Sequence, residues 1–482
     1  MRNSTISIIL LSFNAGLLGQ IPNLPTGPNS STLSIQNYSE TNFRSNSAAK
    51  NTVAIPSSTN STRKSEIERR NWEMQQNDFK VVEKEAREKE QKGLEKRVNT
   101  LEVSGYNLPS LSDRSGTNFY YDALSQLDNL DQSNYSLAEA NFIVENAYSE
   151  RKLTYSNFKA NISKIASQVL QKMKSEKLTT DDNTLKNIAL FKHFSKNYKY
   201  DFDDFMGKKE WNKMFVSKLL KTGKGQCHSM PLLYLMVAES IGADASLAMA
   251  PNHTYIRFKD DDNQWQNIEL TNGILSTNAM ILESGYIGSE ALLNDVYMNS
   301  LDKKQLMSLL YADLANGYIH KYGMDEFVGK ALDKSLDLYP NNMYANLLKS
   351  MYQQARFEYV AAELGIQNVE NPVELENIKY FPKADQLLKE TKIQFNNIDQ
   401  LGFKFMPDGA YSEWLSNMNR EANKQKSEEL AEKIRLITLE KQRKIREENQ
   451  RKLEEEKRKA REKKREEEKR EEEKNKPKPL LT

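Results

Sequence analysis

The chain has 482 residues, room for two or three domains, and a formal net charge of +2 from 69 Lys and Arg against 67 Asp and Glu. So close a balance argues against a dedicated nucleic-acid binder, which would carry a strong basic excess on one face. One cysteine excludes internal disulfides and cysteine-ligated zinc, and four scattered histidines show no ligand spacing, so no metal or other cofactor is expected.

In chain order, residues 1–19 read as an export signal. Arg2 gives a positive start, and residues 8–18 form an apolar stretch, interrupted by Asn14, that is too short to span a bilayer. Cleavage near Gly19 and Gln20 is expected, with the mature protein periplasmic, on the cell surface or secreted. No other stretch is long and apolar enough to cross a membrane. Residues 20–63, rich in Ser, Asn, Thr and Pro, read as a disordered linker. Residues 64–100 read as a charged helix, solvated or partner-binding, with Trp72, Phe79, Val81 and Val82 as sparse apolar points.

Order begins near residue 105. Ser136 and Glu139 have the capping-box spacing ahead of Phe142 and Ile143. Phe158, Ile162, Ile165, Val169 and Met173 follow steps of four, three, four and four, the mark of a buried helix face. Ile188, Leu190, Phe191 and Phe194 mark another helix, and residues 211–220 a further one. The aromatic, acidic stretch 198–207 reads as a loop. Gly223 and Gly225 break the chain before Cys227. A short apolar helix with Pro231 in its first turn then runs to Gly242. Two strand-like runs, 253–259 and 265–270, flank the polar stretch 260–264.

Residues 303–350 return to helix, and 331–342 resemble the second helix and closing proline of a tetratricopeptide repeat. More helix follows over 361–417, interrupted by Pro372, Pro382 and Pro407. Residues 421–474 are dominated by Glu, Lys and Arg. Leu430, Ile434, Ile437, Ile445 and Leu453 are too irregular for a coiled-coil seam. Opposite charges three and four residues apart instead suit a single helix of roughly 80 Å that offers a contact to another protein.

The chemistry centres on Cys227. At a helix start, unpaired amides and the helix dipole favour its thiolate and offer donors to an oxyanion. Such a nucleophile needs a base, and the base an orienting partner. His253, Tyr255 and Arg257 share one strand face, as do Trp265, Asn267 and Glu269 on the next strand. A hairpin loop of about three residues would make His253 and Glu269 direct cross-strand neighbours, with Ile256, Phe258, Ile268 and Leu270 facing the core. A slip of one residue would separate the pair. His228 reads as incidental. Gln226 and Trp211 are possible second oxyanion donors without diagnostic spacing. The run KTGKGQ lacks phosphate-loop spacing and follows a helix.

The blocks GKGQCHSMPLLYLMVAESIGA, PNHTYIRF and WQNIELTNG resemble the Cys, His and acidic blocks of the transglutaminase-like superfamily. With SLAEANFIVENAYSERKLTYSNF as a helical lead-in, the resemblance narrows to the SirB-type branch and spans roughly residues 135–345. It implies an α+β fold: a transglutaminase-like (papain-like) core with its lead-in over 105–300 and tetratricopeptide-like helices over 301–417; the charged helix and tail over 418–482, read from their composition, lie outside the resemblance. It also implies Cys227 as nucleophile, His253 as base and Glu269 as third member, a Glu where Asp is commoner. Many proteins of this branch lack evident catalytic residues, so the fold transfers more safely than the activity. Two functions follow. One is cysteine-dependent hydrolysis of, or acyl transfer from, an amide or peptide bond; with no recognisable amine site, hydrolysis is favoured. The other is a non-catalytic scaffold that holds protein partners at the cell envelope.

Overall fold

The computed structural model describes residues 61–420, together with 447, 450–452 and 455, which are helical. The expected export signal, nearly all of the linker at 20–63 and most of the charged segment at 418–482 lie outside the described residues.

Helix α1 (Ser61–Val103) is exposed along most of its length, with Trp72 and Phe79 open to solvent. Its last turns dock: Leu101 is buried and the Arg97 Nε donates to the Glu363 carbonyl at 2.7 Å. Helices α2 (Asn118–Asp128), α3 (Leu137–Tyr148) and α4 (Tyr155–Ser175) form the lead-in. Every residue of the 4-3-4-4 stripe on α4 is buried. The capping box expected at Ser136 is not made, since its side chain does not cap α3. A carboxylate from elsewhere takes over, as the Leu137 N–H donates to Glu239 Oε2 at 3.2 Å.

Then follow α5 (Asn183–Asn197), β1 (Lys199–Tyr200), a 3-10 turn (Trp211–Met214), α6 (Val216–Thr222), β2 (Lys224–Gly225) and α7 (Ser229–Ile241). The stretch expected to be a loop thus contains a strand, because β1 pairs in parallel with β2 just before Cys227. Strands β3 (Ser246–Ala250), β4 (His253–Lys259), β5 (Trp265–Glu269) and β6 (Ile274–Ser276) form an antiparallel sheet in sequential order. Helix α7, buried on nearly every side, packs between this sheet and helices α4 and α5.

Two short helices, α8 (Asn278–Leu282) and α9 (Ser289–Leu293), lead to α10 (Lys303–Tyr322), α11 (Glu326–Leu338) and α12 (Met343–Glu363), which pack in succession. Asp302 and Gln305 close a capping box at the start of α10. Buried hydrogen bonds among Ser308, Ser335 and Asn342 tie the three helices together. After them come α13 (Pro372–Leu375), a 3-10 turn (Glu376–Tyr380), α14 (Pro382–Gln400) and α15 (Asp408–Arg420). Pro372 and Pro382 open helices rather than interrupting them, since the first helical position needs no N–H donor. Helix α15 does not continue the helical region outward. Tyr411, Trp414 and Leu415 turn back into the main core, beside the sheet. Among the described residues no helix is long and apolar enough to cross a membrane, and no cluster of His, Cys, Asp and Glu has the makings of a metal site.

Candidate active site

Cys227 is set by a tight passage between β2 and α7. A Cβ on Gly225 would stand 2.8 Å from Met230 Cγ and 2.9 Å from Leu219 Cδ1, so only glycine lets the chain pass. The Ser229 Oγ accepts from the Gln226 N–H at 2.9 Å and fixes the turn that carries Cys227 to the start of α7. Cys227 is 6% exposed. Its Sγ lies 3.7 Å from the Asn252 carbonyl, and its own carbonyl accepts from the Thr254 hydroxyl. The cysteine is thereby moored on both sides of His253.

The His253 Nε2–H donates to Glu269 Oε2 at 2.5 Å, and Glu269 Oε1 accepts from the Thr271 N–H at 2.8 Å. All three sequence-predicted residues therefore meet, but not in the expected register. Strand pairing sets Ile256 opposite Ile268 and Arg257 opposite Asn267, which places Tyr255, not His253, across from Glu269. The slip is two residues, so His253 and Glu269 keep the same face and meet on the diagonal. The longer reach of Glu compared with Asp suits that diagonal. The cause is the turn, which spans 260–264 rather than three residues and is wound round the Asp260 carboxylate, an acceptor from the Asp262 and Gln264 N–H groups. The sheet is also buried on both faces. On the His253 face the Arg257 guanidinium donates to the Met298 carbonyl, the Asn267 side chain to Asn278 at 2.8 Å, and the Trp414 indole to the Met280 carbonyl at 3.0 Å.

Burial works against the Cys227 thiolate, yet His253 beside it prevails and holds the thiol below its ordinary range. Burial likewise opposes a charged His253, and Glu269 together with Cys227 outweighs it, raising the imidazole to about 10. The two shifts describe one thiolate–imidazolium pair with a carboxylate behind it.

Three neighbours were not legible in the sequence. The Tyr411 hydroxyl lies 3.0 Å from His253 Nδ1, and the Trp414 ring stands edge-on to the imidazole at 5.2 Å. Phe205 stacks on Tyr411, and Lys208 pairs with Asp408 at the head of α15. Tyr200, on β1, brings a second phenol close to Cys227. Burial pushes both tyrosines well above their ordinary range, so they face the thiolate as neutral hydroxyls. The only sequence trace was the apolar spacing of Tyr411, Trp414 and Leu415, which marks a docked helix without naming its dock.

Cys227 and His253 open onto a cavity of about 140 Å³ between the core and helices α10 and α12. His228, expected to be incidental, lines it, and its Nε2 pairs with Asp313 Oδ2 at 3.0 Å. Burial opposes the charged imidazole there, and Asp313 overcomes it, so the His228 pKa lies above its ordinary value. Trp211 also lines the cavity. Its indole N–H is buried without a protein partner, as are both atoms of the Gln226 amide.

Residues 156–311 match the family model described as the transglutaminase-like superfamily. No curated protein matches this chain. Among solved structures, the crystal structure of menin that reveals the binding site for Mixed Lineage Leukemia (MLL) protein is similar at 11% identity and a TM-score of 0.30, over 63% of this chain and 88% of that one. Nothing about function follows from likeness at that level. The segment from the start of α4 to the middle of α10, which holds Cys227, His253 and Glu269, is a transglutaminase-like superfamily domain.

Proposed function

We propose that the protein is a cysteine-dependent enzyme acting on amide or peptide bonds. Cys227 attacks the carbonyl carbon, and the His253 imidazolium gives its proton to the departing amine. Water or an amine then resolves the thioester while His253 takes up the proton. Glu269 holds the imidazole in the orientation and charge state that both steps need. The observation that carries this reading is the thiol with a lowered pKa beside an imidazole bound to a buried carboxylate. With no recognisable amine site, hydrolysis is the favoured fate of the thioester.

The test is trapping. Incubation with p-nitrophenyl acetate followed by mass spectrometry should show one acetyl group on Cys227, formed far more slowly in His253→Ala. A thiol that takes no acyl group, or takes it equally fast without His253, would remove the enzyme reading. The rival reading, a non-catalytic scaffold, draws support from Tyr411 lying on His253 Nδ1 and from the small exposure of Cys227. The SirB-type assignment, with α10, α11 and α12 as tetratricopeptide-like helices, is supported by their packing in succession after the sheet. Export rests on Arg2 and the apolar residues 8–18. An intact Met1 on protein isolated from the native host's cytoplasm would overturn it.

A further inference from the structure

The cavity beside Cys227 is lined mainly by apolar side chains, with polar groups at the Cys227–His253 end and around Asp313 and Tyr344. Met206, Met214, Met249 and Met343 face it with thioethers, soft groups that pack well against an aromatic ring. Asp313 is the one carboxylate in this lining. Its Oδ2 is taken by His228, while Oδ1 is sealed from water and has no protein donor. The Trp211 Nε1, equally sealed and unpartnered, lies 3.6 Å from where a Cβ on Gly317 would stand. Gly317 follows Asp313 by one turn of α10, so an orphan acceptor and an orphan donor sit about one helical turn apart. Asp313 is 5% and Trp211 4% exposed, and both line the cavity.

Buried polar atoms left in this way are costly and call for a partner. The partner must donate to Asp313 and accept from Trp211. It must also be uncharged, because the one carboxylate here is already paired with His228 and a further buried charge would enter without a counter-ion. A hydroxyl satisfies all three conditions, and a hydroxyl on an aromatic ring also suits the thioethers. Apolar space of about 150 Å³ holds one six-membered ring in a protein interior, close to the volume available here.

We propose that this cavity is a binding site for a phenolic group, the side chain of a tyrosine or tyrosine-like acyl donor, seated beside Cys227 with its hydroxyl between Asp313 and Trp211. This rests on the enzyme reading above and names its substrate class.

The test uses the full chain and its only thiol. Alkylation of Cys227 by iodoacetamide is followed with p-cresol, toluene, 4-methylanisole, propionamide or n-butylammonium as competitor. p-Cresol should protect saturably, at about tenfold lower concentration than toluene or 4-methylanisole, the difference that one well-made hydrogen bond confers. Asp313→Asn should shrink that advantage severalfold. If this variant does not fold, the wild-type contrast of p-cresol with 4-methylanisole decides alone. Equal protection by 4-methylanisole, stronger protection by propionamide or n-butylammonium, or no protection by any of them (a cavity for water only) would overturn the proposal. Protection reads occupancy and not turnover. Loss of acyl trapping with p-cresol protection intact would therefore sink the enzyme and spare the site, and the reverse result would sink the site alone.

Discussion

Replacing His253 with alanine removes the cation that does most to lower the Cys227 pKa, and its effect on the thiol follows from the site. Without the imidazolium the buried sulfur keeps its desolvation and loses the chief interaction that lowers its pKa. The thiol then titrates at or above the ordinary value of about 8.5, where only about 3% is ionised at pH 7. The wild-type thiol, lowered by His253, is more ionised there, so alkylation at pH 7 should fall by on the order of tenfold in the variant. The assay is the iodoacetamide rate from pH 5 to 10.5, read by mass spectrometry on the single cysteine. In the wild type the thiolate should stay paired until the imidazolium loses its proton near 10. Glu269→Gln removes the largest influence that raises His253, so that upper limb should move down toward the ordinary imidazole range, about 6.5. A wild-type thiol that titrates near 8.5 and ignores both substitutions would refute the pairing, as would one that no reagent reaches in the folded protein.

The same pair makes a prediction about stability. Where the folded protein holds thiolate and imidazolium while the unfolded cysteine and histidine are both neutral, the two states bind equal numbers of protons, so the pair's contribution should be flat. It should be lost at low pH, as the pH falls through the lowered thiol pKa, and above about 8.5, as it rises through the raised imidazole at about 10. Cys227→Ser removes the thiolate and leaves a histidine raised by Glu269, so Tm should instead decline with pH from about 6.5 upward; an unchanged plateau would contradict this. Glu145, buried, accepts from the Val216 N–H at 2.6 Å, the Ser217 N–H at 2.9 Å and the Asn141 side chain at 2.7 Å. Glu145→Ala should cost about 2–4 kcal/mol in urea unfolding, for a helix cap lost and buried donors left unpaired. Gly402 has φ +84°, and a Cβ there would stand 2.4 Å from the Ala291 N. Gly402→Ala should therefore cost more than about 2 kcal/mol and lower Tm by several degrees.

What could be read from the sequence was periodic or contiguous. The α4 stripe declared its buried face because the helix covers a single surface. Cys227, His253 and Glu269 stood out because each sits at the edge of a compact block of apolar or strand-forming residues. What escaped had no period to offer. β1 is two residues long, and β3, whose last four residues are all buried, shows none of the alternation that marks a half-exposed strand. The hairpin was found but its turn was miscounted, because the Asp260 side chain makes a five-residue turn as orderly as a shorter one. The His228–Asp313 pair joins α10 to the start of α7, and Tyr411 reaches His253 across 158 residues. Contacts of that range follow from the packing of whole helices, which no local window contains.

That last separation sets an order of events in biosynthesis. Chains are made from the N-terminus at about 5–20 residues per second, and a domain's early parts fold while later ones are still being added. Cys227, His253 and Glu269 are thus complete roughly 7–28 s before Tyr411 is joined to the chain. During that interval α15 has yet to cover His253, and for about its first half the cavity also lacks the wall that α12 provides. The nascent chain is therefore the form in which the lone thiol is most open to oxidants and to stray electrophiles. Closure by α15 is the step that turns an exposed nucleophile into a guarded one.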